Sequence, residues 1–276
     1  MKRVKPLFDF YINSSIHVAL AVFSMTYVTM LELHLPADWP LFCFVFFSTI
    51  TGYNFVKYFG MAKFHHRRLA RWLKVVQVFS LVCFLLMLWF MWQLKPKTIV
   101  YIAVFGVVTF LYAIPFLPKR YFVDQQKNLR NIGGLKVYVI AMVWAGVTVL
   151  LPVLDKNGVF SWDVWLTSIQ RFLLVMLLML PFEIRDLKYD SLKLATIPQK
   201  IGIKNTKIMG VLVGMVFLIL EFLKDELSQK LMVLTLTVTL ITCLFIVFAD
   251  KKRSDYYSSF WVESVPIVWL VLHLVF

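Results

Sequence analysis

Long apolar runs broken by short polar interludes set the pattern of this chain. The stretch "RFLLVMLLML", residues 171–180, is typical, and the charged "PFEIRDLKYD", residues 181–190, follows it directly. Crossing a bilayer takes about twenty largely apolar residues. Nine segments meet that description: residues 10–33, 40–60, 72–94, 97–115, 134–154, 163–184, 207–223, 230–249 and 259–276. The runs are continuous and do not alternate over about ten residues, so they predict helices and not barrel strands. The loops between them are too short for a soluble domain, so residues 1–276 read as a single transmembrane domain. The expected fold class is all-α and polytopic, with about nine transmembrane helices.

Composition agrees. Hydrophobic residues make up 61% of the 276, and charged residues only 16%. A soluble domain of this length cannot bury that much apolar surface. Cys43, Cys83 and Cys243 lie inside apolar runs without metal-binding spacing, so they read as packing residues. The basic start is followed by a long stretch interrupted by Asn13, Ser14, Ser15 and His17. No small-residue cleavage site follows, so a retained first helix is expected.

The net charge of +14 is distributed unevenly. Lys2, Arg3 and Lys5, then "KFHHRRLAR", "PKRYFVDQQKNLR", "LKYDSLKLATIPQKIGIKNTK" and "DKKR", occupy alternate loops. The intervening "HLPADWP", "DKNGVFSWD" and "KDELSQK" carry acids, with "QLKPK" a mild exception. Lys/Arg-rich loops stay in the cytoplasm. The expected topology has the N-terminus cytoplasmic and the C-terminus outside, in a bacterial inner membrane. The cytoplasmic face then also attracts anionic lipid headgroups. The bases form no separate domain, which argues against nucleic acid as a partner.

Glu183, Asp186 and Asp190 stand at i, i+3 and i+7, one helical face at the end of the sixth span. A helix C-terminus disfavours acids by about 0.3–1 kcal/mol each. An acid deeper in lipid costs about 2.5–3.5 kcal/mol. The cluster needs positive partners. Internal pairing with Arg185, Lys188 and Lys193 supplies them, and so does a divalent cation such as Mg²⁺, which takes carboxylate and phosphate oxygens.

The stretch "EIRDLKYDSLKLATIPQKIG" resembles the second acidic motif of the UbiA superfamily of intramembrane prenyltransferases, a D-x-x-D-x-x-x-D-like signature often followed by T-[LI]-P. Glu183, Asp186 and Asp190 match the acidic positions, with Glu for the first Asp, and Thr196, Ile197 and Pro198 match the turn. "YAIPFLPKR" is similar to the family's Tyr/Pro/basic segment after helix four. The resemblance extends to the nine-helix layout and covers most of the chain. It implies a UbiA-like fold and a polyprenyl diphosphate in a central cavity, whose isoprenoid chain passes to an aromatic or lipid acceptor. It implies Mg²⁺, held by Glu183, Asp186 and Asp190, with Asp186 and Asp190 catalytic. Asn54, Lys57, Tyr112, Lys119, Arg120 and Arg185 become substrate-binding candidates.

The family's first motif, N-D-x-x-D-x-x-x-D, is not reproduced. "GYNFVKYFGMAKF" keeps Asn54, but Phe55, Tyr58 and Ala62 occupy the acidic positions. Lys57 either takes an ion's place on the phosphates or snorkels to the interface. Adjacent His65 and His66 do not share a helix face and read as part of a basic loop. Tyr112, Lys119 and Arg120 are explained by diphosphate contact or by positive-inside anchoring. The 26 Phe and 9 Trp suit carbocation stabilisation, lipid-facing surface and core alike. Glu263 reads as a cavity acid or as a partner of Lys251, Lys252 or Arg253. Three functions remain open: a prenyltransferase, a catalytically degenerate isoprenoid-lipid binder, and a transporter. Few charges lie mid-span, which counts against the third.

Overall fold

A computed structural model describes residues 4–58, 67–113, 135–188 and 196–276, with the side chains of Val4, 67–71 and 110–113 left aside. Every regular element among the described residues is helical, as expected. They are α1 (Val4–Asn13), α2 (Ile16–Glu32), α3 (Trp39–Tyr58), α4 (Arg67–Trp92), α5 (Pro96–Ala113), α6 (Leu135–Ala145), α7 (Leu151–Asp155), α8 (Trp162–Asp186), α9 (Ile197–Glu221), α10 (Gln229–Val247) and α11 (Val265–Val275). Two π-helical turns complete the chain: Gly146–Leu150 joins α6 to α7, and Tyr257–Val262 leads into α11.

Among the described residues, seven helices are long and apolar enough to cross a membrane, or eight if the bent pair Lys5–Asn13 and Ile16–Glu32 counts as one span. The chain is therefore compatible with an integral membrane protein. Each of the nine expected segments carries helix among the described residues. The segment at 97–115 holds α5, which runs from Pro96 to Ala113 among the described residues. The first span is bent by 54°. Its break falls at Asn13–Ser15, where Ser15 has φ 64°, a left-handed conformation that stops one helix before the next begins.

α2 lies at the centre, packed against α3 and α11, while α8 packs against α6 and α9. The core joins Met25 and Val28 of α2, Leu174, Val175 and Leu178 of α8, Phe217 of α9, and Val265 and Trp269 of α11. Outward faces stay apolar, as at Trp89, Val104, Leu212 and Leu240, where lipid takes the place of a protein partner. Gly210 and Gly214 sit one turn apart on α9. A Cβ at Gly210 would stand 2.9 Å from both Leu180 and Ile246, and one at Gly214 2.8 Å from Cys243. This small-x-x-x-small stripe lets α9 approach α8 and α10 closely.

Candidate functional site

The break between α1 and α2 organises the end of the bundle that carries the basic loops. It exposes backbone groups that a continuous helix would have paired. Asn13 O accepts from Lys57 Nζ at 3.1 Å and from Tyr58 Oη at 2.8 Å. Asn54, buried on α3, donates to Ser14 O at 3.0 Å and to Ser80 Oγ at 2.8 Å, and accepts from Ser15 Oγ at 2.8 Å. Asn54 thus ties the break to α3 and α4, and both amide groups are spent on that task.

Lys57 is solvent-accessible, and its ammonium lies within electrostatic reach of Glu263 and Arg185. Glu263 in turn senses Lys57 and Arg185, while Tyr11 lies in the field of Glu263. Spans one, two, six and the last one therefore meet here. Of the two expectations for Glu263, a cavity acid or a partner of the 251–253 bases, the charges that act on it, Lys57 and Arg185, favour the first.

The acidic edge is met from within the protein. Glu183 is buried, with Lys136 Nζ 3.4 Å from its Oε1. Asp186 Oδ1 accepts from Arg185 Nε at 2.8 Å and lies 2.8 Å from Nη2. Arg185 also reaches Asp255 O at 3.5 Å, and Lys188 reaches Asp255 Oδ1 at 3.2 Å. Arg185 thus takes the internal role that charge balance called for, but Lys136, 47 residues before Glu183, was not among the expected partners.

Among the described residues, no three His, Cys, Asp or Glu side chains gather to hold a metal. Of the expected Mg²⁺ ligands, Asp186 is met by Arg185 and Glu183 by Lys136. Asp190, Lys119 and Arg120, together with His65 and His66, lie outside the described residues, as does the side chain of Tyr112. Thr196–Pro198 opens α9: Gln199 Oε1 accepts from Thr196 N at 3.1 Å, and Pro198 lies in the first turn, where a missing N–H costs nothing.

A pair of side chains that the pattern did not single out stands beside the break. Tyr11 Oη is 2.7 Å from His17 Nδ1. His17 Nε2 is 2.9 Å from Phe260 O and 3.2 Å from Ser264 Oγ, at the π-helical turn of the last span. π-turns widen a helix locally and often mark functional positions.

The opposite end holds a second polar group. Arg171 is 1% exposed, donates to Thr29 Oγ1 at 3.1 Å and lies over the Trp269 ring at 4.7 Å. Glu32 sits 3.4 Å from His273 Nε2, and Glu221 pairs with Lys224 at 2.9 Å and Gln170 at 2.9 Å. Above them opens a cavity of about 400 Å³ lined by Glu32, Lys230, Glu226 and His273. One signal was available: Arg171 heads an apolar run that otherwise has no charge. Along α2, α8 and α11 the residues between the two ends are the buried apolar core.

Compared with known protein families, with curated proteins and with solved structures, the chain finds no match.

Proposed function

We propose that this protein is a membrane prenyltransferase of the UbiA type, moving an isoprenoid chain from a polyprenyl diphosphate to an aromatic or lipid acceptor. The observation that carries the reading is the convergence at the helix break. Lys57 of α3 and Arg185 of α8 lie within each other's electrostatic reach beside Glu263, at the end where the acidic edge lies. Two cations from separate spans make an anion site of the kind a departing diphosphate needs, since transition-state charge is met by fixed countercharge. Lys57 stands one turn from Asn54 and next to Tyr58, which occupies a position where the resemblance places an acidic residue. A basic side chain there favours direct contact with phosphate over metal mediation. The apolar surface between helices suits a prenyl tail. In this reading the basic end faces the cytoplasm of a bacterial inner membrane, and the C-terminus faces outside. The surrounding partners are membrane lipids, with anionic headgroups at the basic face.

A second reading has a specific observation in its favour. Arg185 holds Asp186 and Lys136 holds Glu183, so the acids are neutralised as they stand. A catalytically degenerate relative that binds an isoprenoid lipid without turnover would carry such pairs. The apolar layer between the two polar ends counts against transport.

One experiment separates these readings. Purified protein is incubated with radiolabelled geranylgeranyl diphosphate and bacterial lipid extract, with and without Mg²⁺. The enzyme reading expects labelled prenyl product, about tenfold less in Lys57→Ala and at least tenfold less in Asp186→Asn. Saturable binding without product supports the binder. Neither binding nor product overturns both.

A further inference from the structure

We propose that Tyr11 and His17 form the acid–base pair that takes the proton of a hydroxyl-bearing acceptor, a role that rests on the prenyltransferase reading above. Three observations meet at this pair. First, its hydrogen-bond directions are determined. The Phe260 carbonyl can only accept, so His17 Nε2, 2.9 Å away, carries the ring proton. In the neutral ring Nδ1 is then bare, and the Tyr11 hydroxyl donates to it at 2.7 Å. Ser264 Oγ already donates to the same carbonyl at 2.6 Å, which fixes the group His17 points to. A tyrosine held in this way can accept a proton as it gives its own to histidine.

Second, the two members differ in exposure. His17 is 2% exposed, whereas Tyr11 is half-buried and partly accessible. The buried member therefore serves as reservoir and the accessible one as contact. The imidazole ring stacks on Phe260 at 4.9 Å between centroids, so its orientation is set by packing before any ligand arrives.

Third, the pair adjoins the countercharges. Glu263 lies in the field of Lys57 and Arg185 and itself acts on Tyr11. An electrophilic prenyl carbon released beside Lys57 and Arg185 would thus meet an acceptor whose oxygen lies against Tyr11. The bend at Asn13–Ser15 places α1 and α2 so that residues six apart share this contact.

The step balances as follows. The allylic carbon–oxygen bond breaks, and its electron pair leaves with the diphosphate. A lone pair of the acceptor oxygen forms the new carbon–oxygen bond. The acceptor proton passes to Tyr11 Oη, the Tyr11 proton passes to His17 Nδ1, and the imidazolium later returns it to water. No oxidant or reductant enters.

The test measures transfer from radiolabelled geranylgeranyl diphosphate to a phenol probe. General-base assistance is worth about 10²–10⁴-fold. Tyr11→Phe keeps the ring and its packing on Phe8, so kcat should fall about 100-fold with the diphosphate KM unchanged. The deficit should shrink as pH rises toward about 10, where the phenol ionises unaided. His17→Gln can still reach Phe260 O but cannot take a proton, and should show the same split. Equal rates in wild type and Tyr11→Phe overturn the proposal and leave the prenyltransferase reading intact. Loss of diphosphate binding together with transfer in both variants shows a structural clamp and also overturns it. Wild-type protein that transfers nothing defeats the prenyltransferase reading, and the pair with it.

Discussion

At the scale of single residues, Arg171 and Asn54 show what a linear pattern reveals and what it hides. Arg171 announces itself as a charge inside an apolar run, but its role depends on side chains 142 residues away in sequence: the Thr29 hydroxyl lies 3.1 Å from Nη2. Its Nε and Nη1 have no hydrogen-bond partner, and Glu32 lies within its field. Removing one member of a buried charge group leaves the others uncompensated, at about 3–5 kcal/mol. Arg171→Ala should therefore lower unfolding stability in detergent by about 3 kcal/mol. Arg171→Met combined with Glu32→Gln should cost less than the two single changes added. Strictly additive effects would show that the two groups do not interact. Asn54 is the reverse case. The motif made it a substrate contact, but its three hydrogen bonds go to Ser14, Ser15 and Ser80. Nothing in sequence spacing tells that Ser80 of α4 faces α3, so the tie was not legible.

At the scale of elements, most helices were legible because apolar length alone decides them, while the sharp bend near the N-terminus was not. The bend at Asn13–Ser15 shows in sequence only as a polar interruption. Its sharpness comes from one left-handed residue and the side chains that receive its backbone groups. Between α3 and α7 a small clamp can be read quantitatively. Asp38 accepts from Leu41 N at 3.1 Å, capping α3, and from Lys156 Nζ at 2.5 Å. Burial pushes the Asp38 carboxyl up, but the Lys156 hydrogen bond, the Leu41 N–H and the charges of Lys156 and Lys95 outweigh it and hold its pKa below the usual value. For Lys156, burial pulls down, and Asp38 and Asp155 together hold its pKa above the usual value. The Asp38 contribution is thus present above an unfolded pKa of about 3.9 and fades as pH falls through the lower folded one. The Lys156 contribution is complete below about 10.4 and fades as pH rises through its higher folded value. Melting temperatures from pH 2 to 6 should show an acid limb in the wild type that Asp38→Asn weakens; superimposable curves would remove the clamp from the account. The α9 stripe gives a second prediction. Gly210→Leu must displace Leu180 and Ile246, and overpacking of this kind costs about 1–3 kcal/mol. An unchanged melting temperature would mean that α9 moves away freely.

At the scale of the whole molecule, the alternation of basic and acidic loops predicts which end of the bundle faces the cytoplasm. The acidic edge was legible too, but its partners were not, because Lys136 and Glu183 meet only after α6 packs on α8. The orientation of that end is open to direct test. In a background with the three cysteines changed to serine, Val159→Cys should react with an impermeant maleimide from outside intact cells, and Lys251→Cys only after lysis. The reverse pattern would invert the topology and move the proposed diphosphate site to the outer face.

The apolar layer of Met25, Val28, Leu174, Leu178, Val265 and Trp269 has an electrical consequence. Hydrocarbon-like material sustains most of a membrane's voltage, whereas hydrated polar regions sit near the potential of the solution they adjoin. A unit charge carried through the full field exchanges about 2.3 kcal/mol per 100 mV. In the proposed reading, a trianionic diphosphate entering from the basic side would stop short of that layer and sample little of the field. Its affinity in proteoliposomes should stay within about twofold between 0 and −100 mV set by a potassium gradient. A tenfold change, which corresponds to about 1.4 kcal/mol, would place the bound charge deep inside the insulating layer, away from Lys57 and Arg185.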